Sequence, residues 1–476
     1  MVRISRILML FIVIIAAISI MGYLTNDFVH PYIDFAGFVG IMVFVAVLYF
    51  FLKFFASKAP LLNLIVFMLI IFFQLRLMFL IFVPISFLFF SWITYDSFHT
   101  VICTILTLTV LSFLGTIIGT KKSSCQSDNT SVSFRNFYFI LFVICVLMQL
   151  LMYYSFGYVG ATGSGENLNP VYRYLAILCN INVFTFMAIA FAIRTRNGHK
   201  WTLLILILFA VYCTFTGSRA GIFEAFIIYL CSLLYFYGDA KIPIRMRQIF
   251  IIPLLLVLLL FTIQYSTYLR DKQWFNSSIS YNDYVSTSYD NVLAASSGLS
   301  YRLSLVEPLY AAMFPPRHDI SNIINWKTTI ISSVNRIIPG KPFGNIMYHE
   351  YAYSMLWLVI PEMQGDNYIG YEWGMFGISW QLFGIWSTVF IFLFSYLLAR
   401  LVSLFTVRGT AWSNVYGLLF CYANYIWVRN LGIDNFMDRF SKMIILLIIN
   451  QLAFYVLKGF TVKTKIPLDS ETIESV

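Results

Sequence analysis

Residues 7–25 read ILMLFIVIIAAISIMGYLT, a run without a single charged side chain. An α-helix needs about 20 predominantly apolar residues to cross the hydrocarbon core of a bilayer, and this run has that length. Arg3 and Arg6 precede it, and no convincing small-residue cleavage site follows. We therefore expect a retained first transmembrane helix rather than a cleaved signal peptide.

Apolar runs of helix length recur through most of the chain, which has 476 residues, 60% of them hydrophobic and 11% charged. Soluble domains carry about 25% charged residues, so this composition is not that of an ordinary soluble protein. The runs predict an all-α polytopic membrane protein with about 12 transmembrane helices. The predicted spans lie near residues 7–25, 35–56, 62–92, 100–119, 137–156, 172–193, 201–216, 220–237, 249–268, 374–399, 412–428 and 441–457.

Basic residues are distributed among the loops in a way that predicts the orientation of the chain. They concentrate in every second loop, beginning with Lys53 and Lys58, whereas the loops between are poor in lysine and arginine. Because basic loops stay in the cytoplasm, both termini are predicted to be cytoplasmic and residues 269–370 to lie outside. The net charge of +10 thus reflects membrane topology and does not indicate a nucleic-acid partner.

Residues 269–370 form the one long polar segment of the chain, and loops of this length are usually functional. The sequence predicts a transmembrane helix bundle over 1–268, a large extracytoplasmic loop over 269–370, further transmembrane helices over 371–458 and a cytoplasmic tail over 459–476. None of the seven cysteines lies in the loop, so no disulfide is expected to hold it together. We interpret the loop as the lid and half of the active site of a membrane enzyme.

The loop carries basic side chains that could hold an anion. Residues 293–305 could form an amphipathic helix at the membrane surface, which would put Arg302 near the level of lipid phosphates. Further along, Arg336 and Lys341 share a proline-bracketed turn. For each of these residues a solvated surface position is an equally good interpretation. The basic residues taken together are stronger evidence for an anion site than any one of them alone.

A Gly217-Ser218-Arg219 turn separates two of the apolar runs. Ser218 can cap the helix that follows, whose first free amides attract anions, and Arg219 lies in the first turn of that helix. A guanidinium beside a helix N-terminus suits a phosphate or a pyrophosphate. The alternative is a capped turn whose arginine reaches towards lipid phosphates.

Three further charged positions fall in or next to apolar runs. Arg76 and Glu224 lie inside such runs, where charges are costly, so they could pair with each other or face a polar cavity. Arg429 lies at the end of the run at 412–428 and could complete a pocket, although an ordinary solvated turn is the simpler interpretation.

A general base would have to come from the acidic residues and the histidine near the end of the loop. The candidates are Glu372, Asp366 and His349, and Glu372 is preferred because its segment leads directly into the next membrane helix. A base must reach the hydroxyl that it activates, and the alternative is a surface carboxylate that balances nearby arginines. The sequence contains no metal-ligand spacing, P-loop or dinucleotide fingerprint, so neither a metal nor a cofactor is expected.

The architecture and three short motifs resemble the bacterial O-antigen polymerase (Wzy) family over about residues 200–440. The architectural features are the many spans and one large loop near the C-terminal third. The motifs are Gly217-Ser218-Arg219-Ala220-Gly221, the Arg-x-x-Pro-Gly-Lys-Pro segment at 336–342, and Gly370-Tyr371-Glu372-Trp373-Gly374-Met375-Phe376-Gly377.

The resemblance implies a GT-C-like, metal-independent glycosyltransferase of the bacterial inner membrane, with its active site facing the periplasm. It would transfer a growing glycan from undecaprenyl diphosphate to the next undecaprenyl-diphosphate-linked repeat unit, among membrane lipids and with a possible chain-length regulator protein as partner. Glu372 would be the base, and Asp366 and His349 are the next candidates for this role. The resemblance assigns the diphosphate to Arg219, Ser218, Arg302, Arg336, Lys341 and Arg270, and the acceptor or pocket to Arg429, Tyr301, Trp326 and Trp373.

Two other functions remain open. O-antigen ligases, which pass finished glycan to a lipid or protein acceptor, share this broad layout, and a loop histidine such as His349 is more typical of ligases. A flippase for a lipid-linked oligosaccharide should need a charged central cavity, whereas only Arg76 and Glu224 stand out within the helices.

Overall fold

A computed structural model describes most of the apolar part of the chain. The described residues are 3–25, 33–82, 95–121, 132–156, 178–193, 195, 198–216, 219–239, 265, 268, 280, 306–314, 325–337, 374–408, 410–429 and 433–463. Within these ranges every regular element is a helix and there is no β-strand. The predicted span at 249–268 lies almost entirely outside the described residues.

The helices are labelled in chain order. They are α1 (Ile4–Thr25), α2 (Phe35–Phe55), α3 (Leu61–Leu69), a π-helical turn (Ile70–Gln74), α4 (Leu75–Phe82), α5 (Tyr95–Gly119), α6 (Val132–Phe156), α7 (Ile181–Ala192), α8 (Gly198–Phe215), α9 (Arg219–Tyr237), α10 (Val306–Met313), α11 (Trp326–Ile337), α12 (Gly374–Phe383), a 3₁₀ turn (Gly384–Trp386), α13 (Ser387–Arg408), α14 (Ala411–Arg429) and α15 (Ile433–Lys463).

Seven stretches among the described helices are long and apolar enough to cross a membrane, and three shorter apolar helices accompany them. The all-helical, multi-pass character read from the sequence agrees with this, while the total of 12 spans stays a prediction. The stretches are Ile4–Thr25, Phe35–Phe55, Leu61–Met78, Asp96–Gly119, Phe134–Met152, Gly374–Arg408 and Arg439–Val456.

Helices α5 and α13 run parallel in direct backbone contact. A side-chain carbon at Gly115 would overlap the Phe392 carbonyl oxygen, and one at Gly119 would overlap that of Tyr396. The hydroxyls of Ser112 and Ser395 meet at 3.0 Å beside this contact. Small residues four apart allow two transmembrane helices to approach closely, and the hydroxyl pair fixes their register.

Helix α14 lies at the centre of the bundle and is buried along nearly its whole length. It runs antiparallel to α9, since Tyr425 packs near Phe223 while Asn414, near its other end, lies 3.4 Å from the Tyr235 hydroxyl. A helix surrounded by protein does not have to match lipid, which explains why α14 tolerates Asn414 and the buried Asn424 in its interior.

Two predicted spans are interrupted in the structure. The run at 62–92 contains a π-helical turn over Ile70–Gln74, which ends two residues before the fully buried Arg76. The run at 172–193 breaks at Asn180, whose side chain caps α7 by accepting from the amides of residues 182 and 183. A capping asparagine offers the backbone an alternative to the helix, and this competition ends the predicted continuous span.

The carbonyl freed at this break is satisfied inside the bundle. The Cys179 carbonyl accepts hydrogen bonds from the Cys145 thiol at 2.8 Å and from the Gln149 amide nitrogen at 2.9 Å, both on α6. Backbone groups at membrane depth must find such partners because lipid offers none. The break is therefore stabilised by α6 rather than by water.

The beginnings of α2 and α5 are joined by a polar pair. The Asp34 carboxylate accepts from the Gly37 amide at 2.8 Å and lies 2.6 Å from the His99 Nε2. The Gly37 amide and then the His99 ring lower the pKa of Asp34 below its usual 3.8. Because the pKa of Asp34 is lower in the folded protein than the usual 3.8, its carboxylate stabilises the folded state fully at a pH above 3.8. This stabilisation is lost as the pH falls from 3.8 through the lowered pKa.

Replacing Asp34 by alanine is therefore expected to lower the melting temperature at pH 7, because both the cap of α2 and the contact with His99 are lost. The difference from the wild type should shrink as the pH falls below about 3.8. Thermal unfolding of the purified protein between pH 3 and 7 measures this. Asp34→Asn, which keeps a capping oxygen, is the control and should lose less; a difference that stays constant with pH would contradict the assignment.

Candidate functional site

Three helix ends meet at one end of the bundle and bring together a set of polar side chains. Helix α9 begins there, α14 ends there and α15 begins there, as the contacts of Phe223 with Tyr425 and of Trp427 with Phe436 establish. We call this set the polar cluster. Its members are Glu224, Tyr422, Tyr425, Arg429 and Arg439.

Glu224 is the buried charge of the polar cluster. Only 8% of the residue is exposed, and its carboxylate lies 3.6 Å from the guanidinium of Arg439 on α15. The sequence suggested Arg76 as a possible partner, but the ion pair of Glu224 is made with Arg439. Spacing along the chain could not indicate this, because α9 and α15 meet only through the fold.

The ion pair is asymmetric in its exposure. The Arg439 side chain is 47% exposed while that of Glu224 is 10% exposed, so the guanidinium reaches solvent and the carboxylate does not. A buried carboxylate depends on its partner, since an uncompensated charge at this depth is expensive. Arg439 is therefore the charged partner of Glu224 at the start of α9.

Tyr422 lies beside this pair with its side chain completely buried. Its hydroxyl interacts with the Glu224 carboxylate and, electrostatically, with Arg439. Tyr422 therefore belongs to the buried side of the polar cluster.

Tyr425 and Arg429 continue the polar cluster towards the end of α14. The Arg429 guanidinium donates to the Tyr425 hydroxyl at 2.7 Å and lies 5.9 Å from the centre of the same ring. The Tyr425 ring is in turn 5.4 Å from that of Tyr422. A row of hydroxyls and guanidinium groups thus leads from the helix end to the buried carboxylate.

Two of the predicted anion-binding arginines lie on helices of this region. Arg219 is the first residue of α9, five residues before Glu224. Arg336 lies in the last turn of α11, and α11 packs against α15. Both side chains lie outside the described part, and so do these other predicted residues of the loop, the turn and the start of the next span: Ser218, Arg270, Tyr301, Arg302, Lys341, His349, Asp366, Glu372 and Trp373.

Helix α11 has its apolar side turned outwards. Trp326 is 62% exposed and Ile330 is 55% exposed, one helical turn apart, whereas Thr329, Ser332 and Ser333 are buried. An exposed apolar face opposite a buried polar one is expected where a helix lies against lipid. Trp326, which the resemblance assigns to the acceptor or pocket, lies on this outward face.

The glycines near Glu372 have structural roles at the start of α12. Gly374 has a φ of 63°, which favours glycine, so the chain can turn into the helix there. A side-chain carbon at Gly377 would come within 3.2 Å of the Pro308 backbone, so α10 packs closely on α12. The turn fixes where the chain that carries Glu372 enters the bundle.

The fold and the polar cluster define a multi-pass α-helical membrane protein with a buried carboxylate, paired to a half-exposed arginine, at one end of its bundle. The described residues contain no group of three or more metal-ligating side chains. No family model, curated protein or solved structure matches the chain.

Proposed function

We propose that the protein polymerises lipid-linked oligosaccharide repeat units. It transfers the growing glycan from undecaprenyl diphosphate to the next undecaprenyl-diphosphate-linked unit. One observation carries the proposal: the N-terminus of α9 with Arg219 lies at the same end of the bundle as Arg429 and Arg439. Cations gathered at the end of a membrane bundle suit a substrate whose diphosphate lies at the membrane surface and whose tail lies in lipid.

The reaction is a displacement at an anomeric carbon. The bond between this carbon and the diphosphate oxygen breaks, and its electron pair stays on the diphosphate. The acceptor hydroxyl forms the new bond and gives its proton to a base, for which Glu372 is the first candidate, with Asp366 and His349 behind it. Preorganised cations stabilise the charge that develops on the leaving group; we assign this role to Arg219, Arg302 and Arg336, supported by Ser218, Lys341 and Arg270.

The proposed setting is the inner membrane of a bacterium, with both termini cytoplasmic and the polar cluster facing the periplasm. The alternation of basic loops supports this orientation. The Ser5 amide and hydroxyl bind the Asp239 carboxylate, so the start of α1 and the end of α9 share one face, as the orientation requires. A chain-length regulator is the proposed partner protein.

Ligation of finished glycan is the second candidate, favoured by His349 alone, and a flippase is disfavoured. Among the described residues the only charged side chains that are buried are Arg76 and Glu224, which is few for a central cavity that would carry a charged headgroup.

Replacing Arg219 by alanine is expected to collapse the ladder of surface glycan to a single repeat unit. Loss of one preorganised group that stabilises a leaving group typically slows a reaction by about 10²–10³-fold. The measurement is a gel of surface glycan from cells lacking the protein, rescued with wild type or with the variant at equal expression.

Arg408→Ala is the matched control, because this exposed arginine ends α13 on the side of the bundle away from the polar cluster. The Arg408→Ala variant should restore the full ladder. An unchanged ladder with Arg219→Ala would refute the role of Arg219. Long chains that accumulate on the carrier but are missing from the surface in the deletion strain would instead establish the ligase.

A further inference from the structure

A cavity of about 250 Å³ opens at the end of the bundle opposite the polar cluster. It lies among the turn between α2 and α3, the end of α5, the end of α9, the C-terminal half of α13 and Cys421 of α14. Because α9 begins in the polar cluster and ends at this cavity, the two sites are separated by the length of that helix. We call it the basic cavity.

Among the described residues, two lysines and no acidic side chain line the basic cavity. Lys58 follows α2 and Lys121 follows α5, and both are exposed. The acidic residue next to the lining is Asp239, and its carboxylate is already held by the Ser5 amide at 3.1 Å and the Ser5 hydroxyl at 2.8 Å. The cavity therefore presents two positive charges without a built-in counter-ion.

Hydroxyl side chains complete the lining. They belong to Ser57, Thr120, Ser403 and Thr406, and the last three donate their hydrogens to backbone carbonyls of their own helices. The amides of Leu62 and Asn63 at the start of α3 are already bonded to the carbonyls of Ala59 and Pro60, so the ammonium groups are the donors left for a ligand. Two ammonium groups favour an anion with several acceptor oxygens, and a phosphate is such an anion.

The size of the basic cavity limits its ligand. Small-molecule pockets usually measure about 300–1,000 Å³, so 250 Å³ suits a phosphate-bearing headgroup and not an oligosaccharide. Helix ends surround the cavity, which places it at the boundary between membrane and water, and basic pockets between transmembrane helices bind anionic lipid headgroups. We propose that the basic cavity binds the phosphate group of an anionic phospholipid. This inference does not depend on the proposed glycan reaction, which is assigned to the opposite end.

The test uses the full-length protein in nanodiscs that contain phosphatidylglycerol and phosphatidylcholine. Native mass spectrometry counts the molecules of each lipid that stay bound to the protein, and the two numbers are compared. Near a membrane surface each lysine contributes about 1 kcal/mol to the binding of anionic lipid. Lys58→Gln or Lys121→Gln should thus weaken retention about fivefold, and the double variant about thirtyfold. Lys53→Gln is the matched control, because Lys53 lies at the same end but does not line the cavity.

Restoration of retention by the double lysine-to-arginine variant would support the proposal and exclude a simple folding defect. A parallel arm adds inorganic phosphate to protein in phosphatidylcholine nanodiscs. One outcome would be that phosphate stabilises the protein against heat, that both glutamine substitutions abolish this effect, and that the wild type does not prefer phosphatidylglycerol. The cavity would then bind free phosphate, and the lipid assignment would be overturned. No preference of the wild type for phosphatidylglycerol and no response to phosphate would overturn the site itself.

Discussion

Replacing Gly115 by valine is expected to separate α5 from α13 and to destabilise the folded protein by about 3 kcal/mol. The added side chain would overlap the carbonyl oxygen of Phe392, and a backbone atom cannot rotate aside as a flexible side chain can. One turn further, Gly119 faces the Tyr396 carbonyl in the same way, so a small shift cannot relieve both contacts. Thermal and denaturant unfolding of the purified protein in detergent measures the loss.

The control for this prediction is Ile118→Val on the same helix, because Ile118 is exposed on the outside of the bundle. A conservative change at such a position should stay within about 0.5 kcal/mol of the wild type. Gly115→Ala should fall between the two variants, since one methyl group is smaller than a valine side chain. Equal stability of Gly115→Val and Ile118→Val would contradict direct contact of the two backbones.

The helices could be predicted where they face lipid and much less well where they face protein. The run at 7–25 became α1 because a helix against lipid must be apolar along its whole length. Helix α14 contains two asparagines and is less apolar, and its central position follows from contacts with other helices that no local pattern encodes. The break before α7 was missed because Asn180 was counted within an apolar run and not as a cap.

In the candidate site, too, some residues could be predicted from local sequence and others depend on contacts between distant helices. Arg429 was recognised from its place at the end of an apolar run, and the structure places it on Tyr425 in the polar cluster. Tyr422 was missed, because in a chain with 31 tyrosines nothing in the sequence distinguishes the one beside a buried carboxylate. The partner of Glu224 was missed too, since α9 and α15 are far apart in the chain and a pair between them obeys no spacing rule.

Replacing Arg439 by methionine is expected to destabilise the protein by about 2–3 kcal/mol, more than replacing Glu224 by glutamine. Without Arg439 the buried carboxylate of Glu224 loses its counter-charge, whereas without the charge of Glu224 the half-exposed Arg439 can turn to solvent. Glu224→Gln should therefore cost about 1 kcal/mol or less. The free energy of unfolding of the two single variants and of the double variant, compared as a double-mutant cycle, measures the interaction.

The double variant should be more stable than Arg439→Met alone, because its buried group no longer needs a counter-charge, and the coupling should fall within about 0.5–3 kcal/mol. Arg408→Met, at an exposed position of α13, is the control and should leave stability unchanged. Equal losses for the two single variants that simply add in the double variant would show that Glu224 does not depend on Arg439. If the cycle shows the expected coupling, Glu224 and Arg439 act as one unit across the contact of α9 with α15. This unit then holds the guanidinium of Arg439 at the end of the bundle where the diphosphate is proposed to bind.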